Sequence, residues 1–232
     1  MAKHGKKLTA VKSKLDASKV FEVQDAISFL QQNKVAKFDE TAEIAFRLGV
    51  DPTQSDQNVR GTVSLPHGTG KKVRVVVFAT GPAADAAREA GADAVGYDDL
   101  LEKVKGGWTD MDVIIATPEA MKEVRKLGKV LGPRGLMPNP KTGTVTDDTG
   151  TAVKQFQAGR VEYRMDKNGN LMVPFGKLSF ATEALVDNCK AVIEAVSHAR
   201  PPTAKGVFIK RCTLSSTMGP GLHVNIKDAV AA

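Results

Sequence analysis

Short apolar runs alternate with helical segments through the middle of the chain, and this alternation constrains the fold more than any other feature. Val73 to Ala79 is a nearly continuous apolar run, which is typical of a strand buried on both faces. Gly81-Pro82 begins a predicted helix that runs to Ala92, with proline in the first turn, where its missing N–H is not needed. Further strands are predicted over 94–97 and 112–116, and further helices over 98–105, 118–129 and 151–158. The pattern predicts a doubly wound, Rossmann-like α/β unit with a parallel sheet.

The two ends of the chain follow another pattern, with amphipathic helices and alternating strands. Residues 23–30 carry apolar side chains at helical spacing, which predicts a helix with one apolar face. From 40 to 50 apolar and polar residues alternate, with Ile44, Phe46 and Leu48 on one face of a strand. Further strands are predicted over 59–65, 160–165, 170–174, 206–216 and 222–226, and a second helix over 182–199.

Neither end offers enough helices and strands to form a core alone. We therefore expect residues 1–67 and 160–232 to fold together as one split α+β domain, with residues 68–159 inserted as a second, α/β domain. Glycines lie at both crossings between these segments. We predict Gly68, Gly70 and Gly159 as hinge residues, because glycine accepts the backbone rotations that a hinge requires.

Composition limits the class of partner. The chain has 33 basic and 26 acidic side chains, a net charge of +7, and most of the excess lies in the two ends. This balance favours a polyanionic partner such as nucleic acid. The longest apolar run, 75–79, is too short to cross a bilayer, and no apolar core follows the basic start of the chain, so we expect neither membrane insertion nor secretion. Two cysteines without a CxxC pair suit a reduced, cytoplasmic compartment.

The sequence lacks the motifs of the common enzyme classes. No GxGxxG pattern follows the strand at 73–79, and the glycine-rich segment 67–72 precedes a strand, whereas a phosphate-binding loop precedes a helix. The four histidines have no metal-ligand spacing, and no serine or cysteine has a nucleophile context. We expect no catalytic residue, metal, cofactor or small-molecule substrate. Two alternatives remain at this point: a nucleotide-dependent enzyme built on the α/β unit, and a DNA-binding repressor, although no helix-turn-helix pattern supports the latter.

Four segments have residue types that suit RNA. Phe38 lies among polar residues between a helix and a strand, where its ring could stack on an unpaired base, although packing against the following strand is favoured from this segment alone. Residues 214–221 combine three consecutive hydroxyls with a methionine and two glycines, which suits 2′-hydroxyls and base edges as well as a simple turn. Residues 176–180 offer a similar polar, basic surface. The lysine-rich segment 3–19 suits phosphates and a solvated terminus equally well.

Five separated motifs resemble one known family. They are KFDETAE at 37–43, DPTQSDQNVRGTVSLPHGTGK at 51–71, LGPRGLMPNPKTGTV at 131–145, GKLSF at 176–180 and STMGPG at 216–221. In this order they closely resemble the bacterial large ribosomal subunit protein one family. The resemblance implies a split RNA-binding domain with a hinged, inserted α/β domain, located in the mobile stalk beside the exit site for tRNA.

The resemblance also implies partners and contact residues. It implies direct binding to 23S rRNA, release of deacylated tRNA at the exit site, and repression of the operon's own mRNA. The residues that match the family's RNA contacts are Lys37, Phe38, Thr41, Thr217, Met218 and Gly219, followed by Asp166, Lys167, Lys177 and Ser179. On this basis Phe38 is expected to meet RNA, contrary to the interpretation of its segment alone.

Overall fold

A computed structural model of the chain describes residues 5–16 and 19–225. In chain order the helices and strands are α1 (Lys6–Lys12), α2 (Val23–Gln32), β1 (Thr41–Leu48), β2 (Arg60–Ser64), β3 (Val75–Phe78), α3 (Pro82–Glu89), β4 (Ala94–Gly96), α4 (Asp98–Lys105), β5 (Val113–Ala116), α5 (Met121–Val124), α6 (Gly128–Leu131), α7 (Thr149–Ala158), β6 (Arg160–Arg164), β7 (Asn170–Lys177), α8 (Thr182–His198), β8 (Ile209–Ser216) and β9 (Leu222–His223). The predicted α/β class, with helices and several sheets, is confirmed. Contacts between residues divide the chain into two compact units, one reaching Gly70 and resuming at Val161, the other spanning Lys71–Arg160.

The first unit is organised by an antiparallel sheet with the order β7-β1-β8-β9. Along β1 every second side chain is buried, and Ile44 and Phe46 belong to the core. That core also holds Ile27 and Leu30 of α2 and Ile193 of α8, so both helices pack against the same face of the sheet. A second, two-stranded sheet pairs β2 with β6.

The second unit contains a parallel sheet with the order β4-β3-β5. All of β3 is buried, as its continuous apolar sequence predicts. Its alternate side chains enter two different cores: Val76 and Phe78 pack with α4, α5 and α6, whereas Val75 and Val77 pack with α3 and α7. Helices therefore cover both faces of this sheet.

Some predicted boundaries are wrong. The helix predicted over 118–129 is divided into α5, a 3-10 turn at Arg125–Leu127, and α6. The break falls at Leu127, whose backbone leaves the helical region (φ −83°, ψ 2°), and Gly128 then begins α6. β7 continues three residues beyond the predicted end, to Lys177, and β8 begins at Ile209 rather than at 206. A short helix, α1, lies within the lysine-rich segment, of which Lys3 lies outside the described residues. Ile226, the predicted end of the last strand, also lies outside them.

Candidate nucleic-acid interface

Three segments that are far apart in the sequence meet at one end of the four-stranded sheet. The first precedes and begins β1, the second ends β7, and the third follows β8. The strand register joins them, because Thr41 lies opposite Lys177, and Ala42 lies opposite Ser216. Most of the predicted RNA-binding residues belong to these segments, and we call their surface the sheet-end surface: Lys37, Phe38, Thr41, Lys177, Ser179, Thr217, Met218 and Gly219.

Thr41 and Thr217 join the first and third segments. The backbone N–H of Thr41 donates to Thr217 Oγ1 at 3.0 Å, and the N–H of Thr217 donates to the Thr41 carbonyl at 3.1 Å. The Thr217 hydroxyl also donates to that carbonyl, at 3.4 Å. These bonds continue the pairing of β1 and β8 by one residue beyond Ser216, so both threonines hold fixed positions at the surface.

Lys177 and Ser179 join the second segment to the first. Lys177 Nζ donates to Thr41 Oγ1 at 2.8 Å and to the Asp39 carbonyl at 3.4 Å. Ser179 donates twice to the Asp39 carboxylate, from its hydroxyl at 2.7 Å and from its N–H at 3.1 Å. An ammonium group and a hydroxyl are therefore held beside the threonines, and Asp39, which was not among the predicted site residues, orients Ser179.

Two large apolar side chains on this surface are exposed to solvent. Phe38 is 56% exposed and Met218 is 52% exposed. The interpretation in which Phe38 packs against the following strand is therefore wrong. An exposed ring and an exposed thioether can both pack against bases and riboses. Lys37, which is also exposed, precedes Phe38 and adds a positive charge beside the ring.

Glu40 lies beneath the sheet-end surface and is fully buried. Its carboxylate accepts four hydrogen bonds, from the N–H groups of Val35 and Ala36 at 3.0 and 2.8 Å, from the Ser216 hydroxyl at 2.6 Å, and from the N–H of Met218 at 3.1 Å. Burial raises the pKa of this carboxyl, but the bonds from Ser216, Ala36, Met218 and Val35 together outweigh burial and hold the pKa below its ordinary value. Glu40 is therefore ionised at neutral pH.

Glu40 was not among the predicted site residues, although the pattern contains a signal. The buried side chains of β1 fall at every second position, including Ala42, Ile44 and Phe46. Position 40 continues that series toward the core. A charged residue on the apolar side of an alternating strand must find partners when it is buried, so its place in the alternation marks it as a structural carboxylate.

Asp166 and Lys167 do not join the sheet-end surface. They belong to the turn between β6 and β7, and the first residue of β7, Asn170, lies opposite Arg47 at the other end of β1. That end is roughly 20 Å from Thr41, at about 3.3 Å per residue of strand. The Asp166 carboxylate accepts bonds from the N–H groups of Asn168 and Asn170 and from the Asn170 side chain. The bond from the Asn170 N–H comes first among the causes that hold its pKa below the ordinary value.

The predicted hinge glycines all have positive φ, at 67° for Gly68, 70° for Gly70 and 111° for Gly159. Gly159 ends α7 in the left-handed conformation. The segment before Gly70 is fixed by the buried Asn188 of α8, which accepts from the N–H of His67 at 3.0 Å and donates to the Gly68 carbonyl at 3.0 Å. Of these positions, Gly70 is also close to the second segment, since a Cβ there would lie 2.8 Å from the Phe180 ring.

Elsewhere in the described residues we find no metal site and no reactive thiol. Among them no group of three or more His, Cys, Asp or Glu side chains could hold a metal ion. Burial raises the pKa of both cysteines, to about 12 for Cys212, which leaves these thiols unreactive. In the glycine- and proline-rich loop, Leu136 and Met137 pack against the core of the second unit. A search of the same residues for a helix long and apolar enough to span a membrane found none.

Comparison with known proteins gives the family. Residues 30–220 match the sequence model of the ribosomal protein L1p/L10e family. The chain belongs to this family. It is 51% identical over 225 residues to proteins from two strains of Lactobacillus delbrueckii subsp. bulgaricus, each named "Large ribosomal subunit protein uL1", and the match covers 97% of this chain and 97% of each relative. Membership confirms the resemblance found in the sequence motifs. The family consists of structural ribosomal proteins, so the chain is not an enzyme and the alternative of a nucleotide-dependent enzyme is wrong.

Proposed function

We propose that the chain is a structural constituent of the large ribosomal subunit that binds 23S rRNA through the sheet-end surface. Relatives with this subunit in their names match almost its whole length. The protein is accordingly ribosome-bound in the cytoplasm, where it forms the mobile stalk at the exit site for tRNA. The net charge of +7 agrees with a partner that is a polyanion.

One observation carries the proposal. Strand pairing and hydrogen bonding bring three segments into one surface, although the first segment lies more than a hundred residues before the other two. That surface exposes the apolar side chains of Phe38 and Met218 among hydroxyls and lysines. Apolar groups that stack, hydroxyls that reach ribose, and ammonium groups that meet phosphate are the combination that RNA recognition requires.

Each residue type has a separate role in this proposal. Phe38 and Met218 pack against bases or riboses, and Lys37 and Lys177 hold phosphates. Lys177 uses two contacts within the protein and an ammonium group has three donors, so a phosphate can be bound without breaking either contact. Thr41 and Thr217 read base edges and 2′-hydroxyls, and the long bond from the Thr217 hydroxyl to Thr41 is exchanged for a bond to RNA. The Gly219 N–H already donates to the Ser216 carbonyl at 3.1 Å, so Gly219 instead contributes a bare backbone that RNA can approach closely.

Asp166 and Lys167 form a second, smaller contact in this proposal. Lys167 is exposed at the turn. The carboxylate of Asp166 accepts hydrogen bonds from the N–H groups of Asn168 and Asn170 and thereby stabilises the turn. We assign the phosphate contact to Lys167 and the shape of the turn to Asp166. An RNA that reaches both contacts must extend along the whole length of β1.

The remaining parts of the proposal concern movement and regulation. The two units correspond to a split rRNA-binding domain, 1–67 plus 160–232, and an inserted domain, 68–159, with Gly68, Gly70 and Gly159 as hinges. The inserted domain meets exit-site tRNA and assists the release of deacylated tRNA. An mRNA that carries the same RNA structure as the rRNA competes for the sheet-end surface, and the protein thereby represses translation of its own operon.

The test compares an rRNA fragment of the large-subunit stalk with a scrambled RNA of the same length across a salt series. We expect a preference for the fragment that persists at raised salt, because non-specific phosphate contacts weaken with salt. Met218→Ala should weaken binding to the fragment by about 1 kcal/mol, because RNA would bury the exposed half of the side chain. Met172→Ala is the matched control, since Met172 is 62% exposed but lies within β7. Equal, salt-sensitive binding of both RNAs would refute the proposal.

A further inference from the structure

We propose that Glu40 is the positioning residue of the sheet-end surface, and that it holds the Phe38 and Met218 segments in the one arrangement that RNA recognises. This inference rests on the proposed RNA-binding function and adds to it a residue that does not itself touch RNA. Glu40 is fully buried, so its contribution acts through the peptides it binds.

The carboxylate connects two parts of the chain that no strand pairing joins directly. One oxygen, Oε1, accepts from the N–H groups of Val35 and Ala36, in the loop that leads to Phe38. The other oxygen, Oε2, accepts from the Ser216 hydroxyl and the Met218 N–H, 176 and 178 residues away in the sequence. One planar group thus fixes the loop before β1 against the turn after β8.

Few residues could replace this carboxylate. Its two oxygens provide about four acceptor sites, and four donors use them. All four bonds have an ionised acceptor and are therefore stronger than neutral hydrogen bonds. Glutamine has the same length but one acceptor oxygen, so its NH₂ group would face two of the donors. In the better orientation the glutamine oxygen keeps the bonds from Val35 and Ala36, and the Ser216 hydroxyl turns to accept from the NH₂ group. Glu40→Gln consequently leaves the Met218 N–H without an acceptor while changing the side-chain volume very little.

The link to RNA binding follows from where the two exposed apolar side chains are attached. Met218 carries one of the bonded N–H groups, and Phe38 lies two residues beyond Ala36, which carries another. Phe38 and Met218 are both more than half exposed and make little packing contact that could fix them. Fixing their backbones before RNA arrives reduces the ordering that binding must impose.

A positioning role and simple electrostatics predict opposite changes in RNA affinity when the charge of Glu40 is removed. Glu40 places a negative charge beneath a surface proposed to bind a polyanion, so removing that charge should by itself increase RNA affinity. If Glu40 acts by positioning, Glu40→Gln must instead decrease affinity, because the loss of order outweighs the loss of repulsion. The sign of the change therefore separates the two explanations.

The experiment uses the full-length protein and the rRNA stalk fragment. We expect Glu40→Gln to weaken binding by about 10-fold, since each tenfold corresponds to about 1.4 kcal/mol and the Met218 N–H loses its acceptor. The slope of affinity against salt should stay unchanged, because no phosphate contact is removed. Glu194→Gln, an exposed position on α8, is the matched control and should change affinity less than about twofold. Equal or tighter binding by Glu40→Gln would overturn the inference.

A second readout does not require RNA. In amide NMR spectra, Glu40→Gln should shift the N–H signals of Val35, Ala36 and Met218 most strongly, with the spectrum of the remaining sheet preserved. The effect on affinity should also be coupled to Met218, so that Met218→Ala weakens binding less in the Glu40→Gln protein than in the wild type. Additive effects of the two substitutions would contradict positioning through the Met218 peptide.

Two controls distinguish a failure of the role of Glu40 from a failure to fold and from a failure of the proposed function. If Glu40→Gln does not fold at the assay temperature, Ser216→Ala removes one of the four donors and should still weaken binding about threefold; unchanged affinity would overturn the inference. If the wild-type protein shows no preference for the stalk fragment, the proposed function itself is refuted. If the wild type shows the preference and Glu40→Gln retains it fully, only the role of Glu40 is refuted.

Discussion

Gly219→Ala should disturb the sheet-end surface from beneath. A Cβ on Gly219 would overlap Ser216 Oγ and would approach Leu30 Cδ2 to 3.5 Å. The Ser216 hydroxyl cannot keep its place beside this new atom, so it must give up its 2.6 Å bond to Glu40. Alternatively the turn itself must shift, which would break the 3.1 Å bond from the Gly219 N–H to the Ser216 carbonyl. We call Glu40 and its four hydrogen bonds the clamp. The first relaxation removes a bond of the clamp, and the second removes the bond that closes the turn beside it.

The size of the effect follows from the bond that is lost. A hydrogen bond to a charged group contributes about 1.5–3 kcal/mol, and Ser216 lies in the buried part of the clamp. We therefore expect the free energy of unfolding of the first unit to fall by about 1.5–3 kcal/mol. RNA affinity should fall as well, because Met218 shares the same carboxylate oxygen as Ser216.

The assay is urea unfolding followed by circular dichroism, together with binding to the rRNA stalk fragment. Gly128→Ala is the control, because a Cβ at Gly128 meets nothing within 4 Å and the residue begins a helix. Alanine is favoured over glycine in a helix by about 1 kcal/mol, so the control should be neutral or stabilising. A Gly219→Ala protein with wild-type stability and wild-type RNA affinity would refute the reasoning about Ser216.

Three other predictions concern the same unit. Thr217→Val keeps the shape of the side chain but removes the hydroxyl that accepts from the Thr41 N–H, and should weaken specific RNA binding by about 1–3 kcal/mol in a titration; unchanged affinity would remove Thr217 from the site. Replacing Lys6 and Lys7 by glutamine should lower the salt slope by about 1–2 without changing the preference for the stalk fragment, and a lost preference would contradict a role through charge alone. Since the folded pKa of Glu40 lies below its ordinary value of 4.5, its ionisation stabilises the fold above that pH and this contribution is lost as the pH falls through the folded pKa. The urea midpoints of wild type and Glu40→Gln should therefore converge at acid pH, and a constant difference would show that the clamp does not depend on ionisation.

Periodicity predicted the elements whose burial is uniform. The continuous apolar run at 73–79 indicated the buried strand β3, and the alternation after Glu40 indicated the inward face of β1. Such patterns succeed because one rule, burial on one face or on both, determines every residue in the element. The residue types around 37–41 and 214–221 likewise suited RNA by their chemistry alone, and the family resemblance then singled out individual residues within them.

Contacts between distant segments could not be read from the sequence. The neighbours of Phe38 favoured a ring packed against the following strand, whereas the folded chain leaves that ring exposed. The resemblance matches Thr217 through one of the five motifs and Asp166 outside them, but only the register of β1 shows that the two lie a strand's length apart. Pairings of this kind depend on tertiary structure, which local patterns do not encode.

The place of β1 between β7 and β8 has a consequence during synthesis of the protein. The partner of Thr41 in the third segment lies 176 residues later, so the ribosome makes it roughly 10–35 s after Thr41 at about 5–20 residues per second. Until β7 and β8 are made, β1 lacks both neighbours, and the clamp lacks its Ser216 and Met218 donors. A nascent or truncated chain that ends before β8 therefore has no complete sheet-end surface. Under the proposed function, competence to bind RNA arrives only with nearly complete synthesis, so unfinished copies do not occupy the RNA.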